Sequence, residues 1–187
     1  MSSKLFKKST GFLDFFFTKQ NFDFHKNATN LVSARICIKT LIKKNNYKKI
    51  FLPKYICNDV IKNIDIEYEL YSIDENLNPI FNFKDLKSKE AILIVNYFGI
   101  MNFEKKYSKF KRKIIFDYSH SFFNKLKNAN VVYSPRKFLS LPDGGLFYSI
   151  KKNNIKTNLK TNKNVSISHL FLKHQNQFKK AYKDFRL

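Results

Sequence analysis

The apolar run AILIVNYF, residues 91–98, limits the possible folds more than any other part of the sequence. A continuous apolar run bounded by polar residues is typical of a strand buried on both faces, as in a parallel sheet that is covered on both sides. A second run, IIFDYSH at 114–120, has the same character. Shorter strand patterns at 49–52, 131–134 and 145–150 extend the predicted sheet.

Helical patterns alternate with these strands. In residues 33–45 apolar side chains recur at i and i+4, and Ser33 is of a type that caps the first turn of a helix. Shorter helices are predicted at 58–64 and, on the surface, at 102–113. Strands that alternate with helices indicate an α/β domain with three layers and a mostly parallel sheet.

Residues 64–73 alternate differently, with Ile64, Ile66, Tyr68 and Leu70 separated by polar residues. A period of two predicts a strand that buries one face and exposes the other. We therefore expect these four side chains to face the core.

The chain divides into three parts by composition. Residues 1–30 form an aromatic-rich N-terminal arm that packs on the core or on a partner, with a loosely packed leader as the alternative. Residues 31–150 carry the strand and helix patterns of the main domain. Residues 151–187 are polar and lysine-rich, with a helical pattern near their end.

The formal charge of +22 raises the question of nucleic-acid binding. Only four of the 36 basic residues are arginine, the lysines are spread along the chain, and Lys, Asn, Ile, Phe and Tyr all have A/T-rich codons. No nucleic-acid docking motif accompanies the charge. A biased genome explains much of the excess, so a nucleic-acid-binding module is the least favoured of the functions considered.

Localisation follows from what the sequence lacks. Two cysteines make no disulfide framework, no signal-peptide pattern opens the chain, and no apolar run approaches the roughly 20 residues of a membrane span. We expect a cytoplasmic, soluble protein without a membrane partner. The four histidines show no metal-ligand spacing, so no metal site is predicted.

Polar side chains follow several of the predicted strands. Asp117 and His120 follow the run that begins at 114, and Ser134 and Lys137 follow the strand at 131–134. In open α/β sheets ligands bind outside the carboxyl ends of the strands, which makes these four residues site candidates. Asp117 has an alternative reading as a helix N-cap, and Lys137 has one as a surface lysine.

Two further features support a site. Ser33, Ala34 and Arg35 at the start of a helix would offer free N–H groups, the positive end of the helix dipole and a cation to an anion. Gly144 and Gly145 follow Lys137, and glycines let the backbone come close to a bound group.

This order of residues resembles the fold type I pyridoxal-phosphate (PLP) enzymes, and among them the DegT/DnrJ/EryC1/StrS aminotransferases. The segments that carry the resemblance are SARICIKTLIK, IFLPKYIC, ILIVNYFG, IIFDYSHSF and YSPRKFLSLPDGG, which together span about residues 30–150. The resemblance implies the large domain of a PLP-dependent transferase and the cofactor pyridoxal 5'-phosphate.

The resemblance also implies roles for individual residues. Lys137 would attach the cofactor covalently, Asp117 would keep its ring nitrogen protonated, and His120 would contact the ring or its phenolic oxygen. The phosphate would be bound by Ser33, Ala34, Arg35 and Ser134. Either Tyr55 or Cys57 would lie near the ring.

The function implied is transamination of a keto sugar attached to a nucleotide, in surface polysaccharide biosynthesis, with glutamate as amino donor and a homodimer as the assembly. The chain departs from the family in having Ala34 where a glycine is usual and Ser134 only three residues before the lysine. Because only 37 residues follow Ile150, we also expect the C-terminal small domain of the family to be missing. The alternative is therefore a non-catalytic remnant, or a subunit that needs a complementary C-terminal chain.

Overall fold

The structure, a computed structural model, describes residues 24–101, 106–139, 141, 143–151 and 180. Within these ranges it has eight strands and two α-helices. The strands are β1 (Thr29–Leu31), β2 (Lys49–Pro53), β3 (Glu67–Ile73), β4 (Pro79–Ile80), β5 (Glu90–Val95), β6 (Ile114–Asp117), β7 (Asn130–Tyr133) and β8 (Gly145–Tyr148). The helices are α1 (Ala34–Asn45) and α2 (Asn58–Ile61).

All eight strands form one sheet in the order β1-β8-β7-β6-β5-β2-β3-β4. The five central strands, from β7 to β3, are parallel, and the strands at both edges pair antiparallel. The chain leaves β2 toward β3 on one side and returns through β5 on the other. The strand order therefore reverses between β2 and β5, where ligands bind in open sheets of this kind. The predicted α/β class with a mostly parallel sheet is confirmed.

One face of the sheet is covered by α1. Ser33 begins the helix as its N-cap, and Asn46 ends it in the left-handed conformation, with φ of 58°. The buried side of α1 consists of Cys37, Ile38, Leu41 and Ile42. These side chains pack against inward-facing residues of the central strands, among them Ile50, Leu52, Leu93, Ile115 and Val132. The predicted helix at 33–45 is thus confirmed with its cap.

The opposite face buries a larger and more aromatic cluster, which includes Phe116, Tyr118, Phe122 and Tyr133. Among the described residues, 3₁₀ turns and loops cover this face instead of a long helix. The prediction of a surface helix at 102–113 is wrong in part. Ser108–Lys113 is a 3₁₀ helix, and 102–105 lie outside the described residues.

The prediction for residues 64–73 is wrong in part. The strand begins at Glu67, and Tyr68 and Leu70 are 44% and 45% exposed. Near the sheet edge β4 pairs only with Ser72 and Ile73. An alternating pattern shows which side chains share a face, but burial also requires another element above that face, and little covers β3 here.

The N-terminal residues that the structure describes are tied to the far edge of the sheet. β1, which the sequence patterns did not predict, pairs antiparallel with β8, which they did predict at 145–150. His25 is 8% exposed, and its Nε2 lies 2.8 Å from the carbonyl oxygen of Phe122 while its Nδ1 lies 3.1 Å from the hydroxyl of Tyr148. Residues 1–23 of the predicted arm, and 151–187 apart from Lys151 and Lys180, lie outside the described residues. Across the described ranges no helix is both long and apolar enough to span a bilayer.

At Gly145 the backbone at the start of β8 packs against the backbone at the start of α1. A Cβ atom on Gly145 would lie 2.2 Å from the carbonyl carbon of Ser33 and 2.5 Å from the amide nitrogen of Ala34. Gly144 adds a hydrogen bond from its N–H to the carbonyl oxygen of Val32, at 2.9 Å. The two glycines therefore let one part of the backbone approach another, and not a bound group as the sequence suggested.

We predict that Gly145→Ala strongly destabilises the fold. The added methyl group meets backbone atoms that no side-chain rotation can move, so the free energy of unfolding should fall by about 1–3 kcal/mol or more. Thermal unfolding followed by circular dichroism measures this, at about 2–4 °C per kcal/mol for a chain of this size. Lys48→Ala, at an exposed position, is the control and should stay within about 0.5 kcal/mol of wild type. An unchanged unfolding temperature for Gly145→Ala would contradict this packing.

Candidate functional site

A cavity of about 390 Å³ lies at the carboxyl edge of the parallel strands. Its walls come from the segments that follow β2, β5, β6 and β7, together with the first turn of α1 and the residues of α2. Because parallel strands all end at the same edge, residues far apart in the chain meet there. The reversal of strand order between β2 and β5 makes room for the cavity.

All nine residues that the sequence analysis selected as site candidates line this cavity. They are Ser33, Ala34, Arg35, Tyr55, Cys57, Asp117, His120, Ser134 and Lys137. Their roles remain predictions, but the structure brings them together.

Asp117 is the last residue of β6 and is 7% exposed. Its Oδ1 accepts a hydrogen bond from the N–H of Ser119 at 2.8 Å. Asp117 thus accepts a backbone N–H as a helix N-cap would, which was the alternative reading of this residue, although no α-helix follows. No ion pair within the described part of the chain includes Asp117. The carboxylate is therefore held in place by the backbone while its charge acts on the cavity.

Lys137 ends the 3₁₀ turn Pro135–Lys137 and points into the open cavity. Its side chain is exposed to the solvent that fills the open cavity. The protein atoms around it still remove part of its solvent, and this burial lowers the pKa of its amine. The charge of Asp117 opposes that shift, and the charge of Arg136 adds to it. A lowered pKa increases the neutral fraction of the amine, which is the nucleophilic form.

His120 is half-buried beside Lys137. Burial lowers the pKa of its imidazole, the charge of Lys137 lowers it further, and Asp117 opposes both. Its Nδ1 is buried without a hydrogen-bond partner in the described part of the protein. The ring of Phe98 stacks on it, with centroids 6.1 Å apart and planes at 26°. The lowered pKa of His120 therefore favours its neutral imidazole form.

The turn after β5 braces the two neighbouring loops. The hydroxyl of Tyr97 donates to the carbonyl oxygen of Tyr55 at 2.6 Å, and the two rings stack with centroids 5.4 Å apart. Phe98 has a φ of 56°, which is unusual for a bulky residue, and is 65% exposed. Gly99 follows at φ of 74°, and a Cβ there would lie 2.7 Å from the carbonyl oxygen of His120.

The opposite wall is suited to an anion. Ile36 donates its N–H to the Ser33 hydroxyl at 3.5 Å, and the parallel bridge between Ser33 and Gly144 uses the N–H of Ala34, so the N–H group of Arg35 remains at the positive end of a 12-residue helix. The guanidinium of Arg35 lies 3.5 Å from a carboxylate oxygen of Asp59. Ser134 is 3% exposed, and its hydroxyl makes no capping bond to the turn that it begins.

Several cavity residues were missed from the sequence. They are Ile38, Ile56, Asp59, Val60, Val95, Tyr97, Phe98, Ser119 and Arg136. The most important is Arg136, whose pKa is lowered by burial and by the charge of Arg35, while Asp143 and Asp59 oppose these shifts. Tyr97 and Phe98 are the last two residues of the predicted buried run 91–98, so the rule that selected Asp117 in the run 114–120 could have selected them too.

Tyr55 and Cys57 both line the cavity, and the structure does not choose between them. Tyr55 is 61% exposed and stacks on Tyr97, whereas Cys57 is an exposed free thiol that precedes α2. Among the residues that the structure covers, no group of three or more His, Cys, Asp or Glu side chains could hold a metal ion.

No family model matches the sequence. No curated protein matches it either. Solved structures do match the fold. An aminotransferase candidate from Burkholderia pseudomallei has a TM-score of 0.51 at 12% identity, over 66% of this chain and 44% of its own. DesI, solved in the presence of its TDP-sugar product, gives 0.52 at 12% identity over 66% and 37%, and 3-amino-5-hydroxybenzoic acid synthase gives 0.51 at 10% identity over 79% and 42%.

At these identities the likeness concerns the fold. The chain shares its mixed α/β fold, with a mostly parallel sheet, with part of each of these three structures, and it spans less than half the length of each.

The charges in the cavity predict how His120 titrates. Lys137→Met removes a positive charge and should raise the pKa of His120, whereas Asp117→Asn removes a negative charge and should lower it. Histidine side-chain NMR against pH measures both, with His120→Gln identifying the signal.

Lys125→Met provides the matched control for this titration. Its charge lowers the pKa of His25, so this variant should raise the pKa of His25 and leave that of His120 unchanged. If neither Lys137→Met nor Asp117→Asn changed the pKa of His120, these side chains would not share the cavity.

Proposed function

We propose that the protein binds pyridoxal 5'-phosphate in this cavity, with Lys137 as the residue that attaches it. The observation that carries the proposal is the meeting of Lys137, Asp117 and His120 around one cavity whose other wall suits an anion. The fold that the chain shares with solved aminotransferases supports it.

The residues present fit this cofactor. A cavity of about 390 Å³ lies within the roughly 300–1,000 Å³ usual for small-molecule sites. An amine of lowered pKa can attack the aldehyde, because its neutral form is more populated. A buried carboxylate can hold a protonated ring nitrogen, and Oδ2 of Asp117 has no hydrogen bond to any described residue. The Nδ1 of His120 likewise has no hydrogen-bond partner among the described residues.

The phosphate would lie against the start of α1. Four residues border that part of the cavity: Ala34, Arg35 with its N–H group, Ser134 with its hydroxyl and Arg136 with its guanidinium. Helix N-termini bind phosphate because the free N–H groups and the dipole both favour negative charge. Asp59 would keep the Arg35 side chain to one side through the ion pair.

When bound, pyridoxal phosphate acts as an electron sink for bonds at the carbon attached to the substrate nitrogen. The residues of this chain would supply placement and proton transfer. Lys137 Nζ would accept a proton from the substrate carbon and return it to the cofactor carbon. Asp117 would keep the ring nitrogen protonated, and the strained turn at Phe98 would hold the His120 ring in position.

For the reaction we propose transamination of a nucleotide-linked keto sugar in surface polysaccharide biosynthesis, with glutamate as the amino donor. This assignment rests on the DegT/DnrJ/EryC1/StrS-like motifs and gains support from the shared fold of DesI, which was solved with its TDP-sugar product. We further propose that the site works in the cytoplasm and in a homodimer, or together with a complementary C-terminal chain. Because the chain spans less than half of the matched structures, binding and turnover are tested separately.

Binding is tested by the absorption spectrum after incubation with pyridoxal phosphate and removal of free cofactor. We expect a visible band at roughly 400 nm for wild type and none for Lys137→Ala, because only the lysine amine forms the covalent bond. Borohydride reduction followed by peptide mass spectrometry should find the cofactor mass on the peptide that contains Lys137. Lys54→Ala, at an exposed lysine outside the cavity, should keep the band. Absence of the band in wild type would reject the proposal.

Turnover is tested on the loaded protein by adding L-glutamate and measuring 2-oxoglutarate. We expect one equivalent per site for wild type and a rate about 10²–10⁴-fold lower for Lys137→Ala to which cofactor is resupplied, since the proton acceptor is lost. Light scattering shows whether the loaded protein is a monomer or a dimer. If wild type releases no 2-oxoglutarate in either state, the protein is better explained as a non-catalytic remnant or subunit.

A further inference from the structure

A second cavity, of about 540 Å³, lies at the opposite end of β7 from the candidate site. It forms between the turn that precedes β1 and the turn that precedes β7. Asn130, the first residue of β7, is next to this cavity, whereas Ser134 and Lys137 follow the other end of the strand. The two cavities are therefore separate.

The lining of the second cavity is basic and polar. Lys26, Lys125 and Lys127 line it, and no Asp or Glu is among its described lining residues. Like charges that converge on one concave surface repel each other and create a positive potential that attracts an anion.

Other groups around the cavity can complete an anion site. The side chains of Asn27 and Asn128 provide amide groups. The hydroxyl groups of Tyr148 and Ser149, which bond to His25 and Asn130, also border the cavity. The amine of Lys125 lies 4.3 Å above the ring centroid of Phe24, which limits its movement. The buried Leu126 gives the cavity an apolar wall.

Asn130 offers an independent indication of a missing partner. It is 1% exposed, and its Oδ1 accepts from the N–H of Ile150 at 3.2 Å and from the hydroxyl of Ser149 at 3.4 Å. Its Nδ2 is buried without a hydrogen-bond partner among the described residues. Buried donors are nearly always satisfied by protein, water or ligand. Asn130 does not line the cavity itself, but it follows Ala129 in the chain and its Oδ1 bonds to Ser149 and Ile150, and these three residues line the cavity.

We propose that this second cavity binds a phosphorylated small molecule through a group of two or more negative charges, such as a diphosphate. Lysine ammonium groups bind phosphate as point charges, and amide and hydroxyl donors add hydrogen bonds to its several oxygens. The volume exceeds that of a phosphate group, so the amide and hydroxyl side chains would contact the organic part of the ligand. This site is independent of pyridoxal phosphate.

Isothermal titration calorimetry with pyrophosphate tests the site, first at low ionic strength, where screening is weakest. The test variant is Lys125→Gln with Lys127→Gln, and the control is Lys109→Gln with Lys111→Gln, which removes the same charge from exposed or partly exposed positions outside the cavity. We expect the cavity pair to weaken binding by about tenfold or more, and the control pair to leave it within about twofold. Circular dichroism verifies that both variants are folded.

Residue-specific readout separates this cavity from the first. In ¹⁵N–¹H spectra pyrophosphate should shift the amides of Ser149 and Ile150 and the side-chain amide of Asn130, in wild type and in Lys137→Ala alike. Absence of binding, equal loss in both lysine pairs, or shifts confined to the first cavity would each overturn the proposal. A single-stranded oligonucleotide that displaces pyrophosphate and depends on the same lysines would identify a nucleic-acid backbone as the source of the phosphate.

Discussion

Burying the carboxylate of Asp117 at the end of β6 has a free-energy cost that nearby positive charge and hydrogen bonds must offset. The N–H of Ser119 provides one such bond. The charge of Asp117 raises the pKa of Lys137 and of His120, each against a larger effect of burial. It also raises the pKa of Tyr97 and of the buried thiol of Cys37, beyond what burial alone does. One carboxylate therefore influences the protonation of four side chains from four different segments of the chain.

The loops at this edge of the sheet contact one another directly. Tyr97 bonds to the backbone at Tyr55, Phe98 stacks on His120, and the backbone at Gly99 packs against that of His120. A bulky residue at positive φ is costly and persists only where its surroundings fix it. The cavity thus has walls that are preorganised by contacts between loops, which is a requirement for a site that positions reacting groups.

Much of the sheet and of the cavity could be predicted because each follows from a local pattern. Apolar runs identified β5 and β6, and the rule that parallel strands end at one edge brought Asp117 and Lys137 together. What could not be predicted depends on contacts between distant segments. β1 is too short to have a pattern of its own, and it exists because β8 pairs with it. The exposure of Tyr68 and Leu70 depends on what covers the sheet, which alternation along one strand does not encode. Arg136 looked like any surface arginine because its neighbour Arg35 is about a hundred residues away in the chain.

The pairing of β1 with β8 has a consequence for how the chain folds. Thr29 lies opposite Phe147, so almost the whole described domain separates two residues that are neighbours in the sheet. Contacts of such high sequence separation form late, because the entropy of closing the intervening loop must be lost first. During synthesis the segment 24–33 therefore leaves the ribosome early and lacks its partner until β8 has followed. Until then the start of α1 lacks the Gly145 backbone against which it packs, and the ring of His25 lacks Tyr148. Both cavities are completed by the same late event.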